Sequence, residues 1–86
     1  MGETEGKVID AKAAAQKATE YLIEVDPAAQ QILLEEVELS NDERYWLITL
    51  SHTHPHTVMF GERKYKIFQV TSDSGRVVSM KIRQLR

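Results

Sequence analysis

All three histidines of this chain lie within five positions, in the polar segment 51–57. In an extended chain, side chains two residues apart point the same way, so His52, His54 and His56 can converge on one metal ion. Neutral imidazole is a good ligand for zinc, copper and nickel. However, no Cys, Asp or Glu adjoins the histidines, Glu62 is the nearest acidic residue, and Pro55 restricts the backbone. Two interpretations stay open: a metal site, and a polar loop that happens to hold histidine.

Catalytic constellations are weak in this sequence. A hydrolytic triad can be written on paper from Ser51, His52 and Asp42, but no nucleophile-elbow motif surrounds the serine. The chain has no cysteine, and its four glycines are scattered, so neither thiolate chemistry nor a phosphate-binding loop is expected. We therefore predict a protein that is not an enzyme, with no catalytic residue and no cofactor.

One helix and four strands are expected to position these residues. Asp10 is a good N-cap for the alanine-rich segment that follows, and Asp26–Pro27 ends the helix, because the residue before proline is disfavoured in the α region. The predicted apolar stripe consists of Ala11, Ala15, Ala18, Leu22 and Val25. A helix face of small residues can lie close to a sheet.

The remainder of the chain reads as strands. Alternating or β-branched segments predict strands over 32–39, 44–50, 63–71 and 76–83, with turns at 40–43 and 72–75 and a long loop over 51–62. The predicted fold class is α+β, with one N-terminal helix packed on a four-stranded antiparallel meander sheet. We expect residues 1–9 to be a flexible tail and residues 10–86 to be a single domain.

The two last strands and their turn, with the sequence YKIFQVTSDSGRVV over 65–78, resemble the end of a PepSY-type domain. The alanine-rich helix over 10–25 and the segments 37–39 and 45–50 fit the rest of that pattern, which cystatin-like domains share in part. The resemblance implies a helix-on-sheet module without catalytic residues. PepSY-like domains occur in peptidase propeptides and cell-envelope proteins, where inhibitory or chaperoning roles have been suggested. This chain differs in its histidine-bearing insertion and in the position of Asp73.

The second strand is apolar on both faces. Trp46, Ile48 and Leu50 share one face, while Tyr45 and Leu47 lie on the other, which a single helix cannot also cover. A homodimer or a partner protein would cover that second face, unless the stems of Lys and Arg side chains do so. The predicted interaction surface comprises Tyr45, Leu47, Phe68, Lys64, Lys66, Lys81 and Arg83.

Charge is distributed unevenly along the chain. Residues 1–43 carry three lysines against eleven acidic residues, a net charge of −8, and residues 44–86 carry eight basic residues against two acidic ones, a net charge of +6. If Lys64 and Lys66 share a face with Lys81 and Arg83, that face could bind nucleic acid, with Phe68 stacking on bases. The isoelectric point of about 5.9 argues against this. Mutual neutralisation of the two halves is the favoured interpretation.

Together these patterns predict a small soluble protein-interaction or regulatory domain that binds a partner protein or a second copy of itself. Metal binding by the histidines and nucleic-acid binding by a basic sheet face are the alternatives. No stretch approaches the roughly 20 apolar residues of a membrane span, and the N-terminus does not resemble a signal peptide. With no cysteine, the expected location is the cytoplasm, or outside it if a leader has been removed.

Overall fold

A helix on an antiparallel sheet forms the fold, in a computed structural model that describes residues 8–55 and 62–83. The elements are α1 (Ala11–Val25), β1 (Gln30–Leu39), β2 (Tyr45–Thr53), β3 (Lys64–Thr71) and β4 (Val77–Arg83). The sheet order is β1-β2-β3-β4, and every neighbouring pair is antiparallel. The predicted α+β meander is therefore confirmed. In the described parts of the chain, no helix has the length and apolarity needed to cross a membrane.

α1 begins and ends where the sequence predicts. The Asp10 carboxylate accepts a hydrogen bond from the amide of Ala13 at 2.8 Å, and the amide of Asp26 donates to the Leu22 carbonyl at 2.8 Å before Pro27 follows. The line of contact with the sheet differs from the predicted stripe. It runs in steps of four through Ala14, Ala18 and Leu22, which are fully buried, whereas Val25 lies to one side and is 48% exposed.

The core lies between α1 and one face of the sheet. Its sheet residues are Ile48, Leu50, Phe68 and Val70, all 1% exposed or less. Phe68 pairs directly with Ile48, and residues opposite one another in a ladder share a face. The prediction that Phe68 lies on an accessible interaction surface is therefore wrong, because its ring packs in the core, edge-on to Tyr21.

The β3–β4 hairpin closes against the start of the helix. Gly75 has a φ of 76°, and a Cβ at this position would lie 3.2 Å from Cγ of Lys17 and 3.3 Å from Cδ1 of Ile9. Ile9 itself donates its amide to the Ser72 carbonyl at 2.7 Å and accepts a hydrogen bond from the Trp46 indole at 3.0 Å. The folded contacts thus reach one residue into the predicted tail.

β2 is longer than predicted. It runs through Thr53 rather than ending near Leu50, so Ser51 and His52 belong to the sheet and not to a loop. This extension fixes the direction of both side chains, since successive residues of a strand point to opposite faces.

Candidate metal centre

His52 is carried by β2 into the protein interior. It continues the period-two series of Trp46, Ile48 and Leu50 on the face that α1 covers, and its side chain is fully buried. The end of β2 lies beside the C-terminal end of α1, where Asp26 follows the helix. The fold therefore brings the end of a helix and the end of a central strand to one place.

Asp26 and His54 form the accessible part of this place. Nε2 of His54 lies 2.7 Å from Oδ2 of Asp26, and the two side chains are 21% and 28% exposed. The hydrogen bond from His54 holds the pKa of Asp26 below its usual value of 3.8, outweighing the opposing effect of burial. The carboxylate is thus ionised at neutral pH and aimed at an imidazole.

His52 interacts with a lysine from the neighbouring strand. Its Nε2 lies 2.9 Å from Nζ of Lys66, and its ring meets the His54 ring edge-on at a centroid distance of 4.9 Å. Burial lowers the pKa of His52 from 6.5, and the charges of Lys66 and His54 lower it further. The His52 imidazole is therefore neutral at neutral pH.

One atom of His52 lacks a partner. Its Nδ1 is buried and makes no hydrogen bond within the part of the chain that the structure describes. A buried polar atom without a partner costs about 1–3 kcal/mol of folding free energy. A buried polar atom of this kind calls for an explanation, and a ligand bound at this position would supply one.

Asp26, His52 and His54 together meet the requirements of a metal-binding cluster. Each offers one ligand atom, and these atoms lie within 4.8 Å of one another. Two imidazole nitrogens and one carboxylate oxygen suit zinc, copper or nickel better than calcium or magnesium, which favour oxygen alone. An ion bound at about 2.0–2.2 Å would draw the atoms closer together, and Asp26 and His54 are the two partly exposed members of the cluster.

No protein-family model, curated protein or solved structure matches this chain. The resemblance to PepSY-type and cystatin-like domains stays a prediction.

The cluster shares two of its three residues with the three-histidine metal site predicted from the sequence. His52 and His54 do lie together, while His56 is outside the described residues. The acid that joins them is Asp26 and not Glu62. Asp26 lies 26 residues before His52 in the chain, and its sequence context shows only the end of a helix. Nothing in the residue spacing indicated its second role.

The hydrolytic triad of Ser51, His52 and Asp42 does not form. Ser51 points to the face opposite His52, where its hydroxyl donates to Oε2 of Glu35 at 2.7 Å and accepts from Nε of Arg63 at 2.9 Å. Asp42 lies in the turn after β1 and accepts a hydrogen bond from the Ser40 hydroxyl at 2.7 Å. Consecutive residues of one strand cannot place Ser51 and His52 side by side.

The predicted basic patch is divided between the two sheet faces. Lys66 pairs with Ile82 on the face that carries Phe68, whereas Lys81 pairs with Ile67 on the other face, together with Arg83. Lys64 lies two residues before Lys66 and shares its face. The nucleic-acid alternative requires all four cations to lie on one sheet face. This requirement is not met, because the register of β3 with β4 places them on opposite faces.

We call the sheet face away from α1 the open face, which carries Tyr45, Leu47, Thr49 and Ser51. Arginines cover much of it. Nη1 of Arg83 lies 2.6 Å from Oε1 of Glu36 and 3.1 Å from Oγ1 of Thr49. Thr49 is 4% exposed although no helix covers it. Tyr45 and Leu47 are only half-buried, and their role in an interaction surface stays a prediction.

Proposed function

We propose that this protein binds a divalent transition-metal ion, of which zinc is the reference case, through Asp26, His52 and His54. The observation that carries the proposal is the convergence of these three ligand types within 4.8 Å, although one comes from a helix end and two from a strand end. Full burial of His52 supports it, because this ligand is held in place before any ion arrives.

The site joins two parts of the fold. Asp26 ends α1, and His52 lies in β2, so an ion between them would link the helix to the sheet on which it packs. Binding to the folded state alone stabilises it, by roughly 2.7 kcal/mol when free metal is about 100 times the dissociation constant. The proposed role is regulatory or structural: a small module whose stability responds to metal.

Zinc titration tests this proposal. Isothermal calorimetry and thermal melts are run on the wild type and on the variants Asp26→Asn and His54→Gln. Glu24→Gln is the matched control, because it removes an exposed carboxylate two residues from Asp26. We expect zinc to bind the wild type and the control and to raise their melting temperatures. Each ligand variant should lose at least about tenfold in affinity, because even the loss of an outer-shell partner of a metal ligand costs about 10–100-fold.

Two results would contradict the metal centre. The first is a wild-type melting temperature that does not move at a large excess of zinc. The second is binding that Asp26→Asn leaves intact while His56→Gln abolishes it, since that pattern belongs to the three-histidine site predicted from sequence and not to the cluster with Asp26.

A second candidate is the protein-interaction module, favoured by one feature of the open face. A surface groove there is lined by the apolar residues Leu47 and Ile67 and by the polar or charged residues Glu36, Glu38, Thr49 and Arg83. Protein-binding surfaces combine apolar contacts with charged and polar residues in this way. Light scattering behind size exclusion on the wild type and on Leu47→Glu tests this candidate.

A further inference from the structure

The candidate metal centre already contains a cation. Lys66 pairs with Leu50 across β2 and β3, which places its side chain on the same face as His52 and one step from it. Its Nζ lies 2.9 Å from Nε2 of His52, the distance of a good hydrogen bond. An ammonium group has only hydrogen-bond donors, so Nε2 must be the acceptor. The remaining proton of the neutral ring then resides on Nδ1.

This protonation pattern conflicts with metal binding at either nitrogen of His52. An ion on Nε2 needs the lone pair that the Lys66 ammonium occupies. An ion on Nδ1 needs the proton to leave that atom for Nε2, and a protonated Nε2 can no longer accept from an ammonium. In both cases the Lys66–His52 hydrogen bond is broken before the ion is held.

Resting on the metal-binding function proposed above, we propose that Lys66 is an internal competitor that occupies His52 and is displaced when the ion binds. In the metal-free protein the Lys66 ammonium is hydrogen-bonded to His52. Breaking this hydrogen bond makes the free energy of metal binding less favourable. The same positive charge within reach of the ligands also repels a divalent ion. Ions with high affinity for imidazole, copper above zinc in the general order, are favoured over weaker ones.

The released side chain has a place to go. Lys66 is partly buried and lines a surface groove that also contains Glu62, Tyr65 and Ile82. Arg63, Lys64 and Arg83 also line this groove, so it is predominantly basic and the released ammonium is stabilised by water rather than by Glu62. The long lysine stem allows the ammonium to move between His52 and solvent. Displacement thus exchanges the hydrogen bond to His52 for solvation without unfolding the strand.

Calorimetric zinc titrations of Lys66→Met and Lys66→Gln against the wild type test the competition. Lys64→Gln is the matched control, because Lys64 is an exposed residue that pairs directly with His52 across the ladder and carries the same charge, so its loss tests the charge without the Lys66–His52 hydrogen bond. We expect both Lys66 variants to bind zinc about ten- to a hundredfold more tightly than the wild type, the range of one hydrogen bond to a charged group. Lys64→Gln should differ from the wild type by much less.

A second readout does not depend on affinity. Nitrogen NMR of the metal-free wild type should show His52 as the neutral tautomer with its proton on Nδ1, and zinc should abolish this pattern. A His52 proton on Nε2 in the metal-free protein would overturn the proposal, whichever way the affinities fall.

The possible outcomes separate the two proposals. If the wild type binds zinc and the Lys66 variants bind no more tightly than Lys64→Gln, the competitor is refuted and the metal centre stands. Weaker binding by both Lys66 variants also refutes it, since Lys66 would then position His52. If neither the wild type nor any variant binds zinc, the metal centre and the competitor fall together.

Discussion

At the scale of single residues, His52 is a titratable group that the fold buries completely. Burial lowers its pKa below 6.5, and the charges of Lys66 and His54 add to the effect, with the Asp26 carboxylate opposing it. Between the lowered folded-state value and 6.5, the unfolded chain binds more protons than the native protein. The stability that neutral His52 contributes is therefore complete above pH 6.5 and is lost as pH falls below it.

We expect the free energy of unfolding of the metal-free protein to decrease as pH falls from about 6.5, as measured by urea denaturation at a series of pH values. His52→Leu places an apolar side chain of similar size at this position. Because leucine cannot be protonated, the free energy of unfolding of this variant should depend less on pH over this range. Protonation of Asp26 causes a separate decrease in the free energy of unfolding below pH 3.8, because the fold lowers the pKa of this carboxyl group. Parallel curves for the two proteins between pH 5 and 6.5 would contradict the role of His52.

At the scale of elements, the contact between α1 and the sheet sets the position of Asp26. Ala14 and Ala18 are fully buried, and their small side chains allow the helix to lie close to β2. We expect Ala18→Leu to force the helix outward and lower the free energy of unfolding by about 1–3 kcal/mol, the usual cost of overpacking. Zinc affinity should fall as well, since Asp26 moves with the helix.

The exposed face of the same helix provides the control for that variant. Gln16→Leu adds the same side chain where nothing packs, and its stability should stay within about 0.5 kcal/mol of the wild type. Chemical denaturation and zinc calorimetry measure both quantities. Equal stability of Ala18→Leu and Gln16→Leu would show that the helix does not press closely on the sheet.

The β3–β4 hairpin depends on one glycine. Gly75 adopts a φ of 76°, and an added Cβ would meet Lys17 and Ile9 at 3.2–3.3 Å. We expect Gly75→Ala to reduce the free energy of unfolding by about 1 kcal/mol or more, measured by urea denaturation. Gly75→Asn tolerates the left-handed backbone better, so it should recover part of the loss. An Ala variant as stable as the wild type would argue against this turn geometry.

The sequence predicts the ends of α1 but not the end of β2. The helix bounds follow from local chemistry, the Asp10 cap and the Asp26–Pro27 stop, and the structure reproduces both. Local chemistry does not predict that β2 extends to Thr53, because Ser51, His52 and Thr53 are polar residues typical of a loop. They are strand because Tyr65 and Lys64 of β3 pair with Ser51 and His52, and Gln30 of β1 pairs with Thr53. Asp26 enters the cluster for the same reason, through a tertiary contact that no local pattern encodes.

At the scale of the whole molecule, the acidic first half and the basic second half meet within the fold. Arg83 of β4 pairs with Glu36 of β1, and the Ser51 hydroxyl links Glu35 to Arg63. These contacts lie on the open face and favour the interpretation that the two halves neutralise each other. They also reduce the apolar area that a second copy of the chain could cover, leaving Tyr45, Leu47 and Ile67 half-buried.

The oligomeric state distinguishes the two candidate functions. All three ligands of the cluster come from one chain, so zinc does not require a second copy. We expect the mass from light scattering behind size exclusion to be the same with and without zinc. If the open face mediates self-association, the wild type elutes as a dimer under both conditions and Leu47→Glu reduces it to a monomer. A mass that doubles only with zinc would instead place a ligand from a second copy at the ion, and the single-chain cluster would be incomplete.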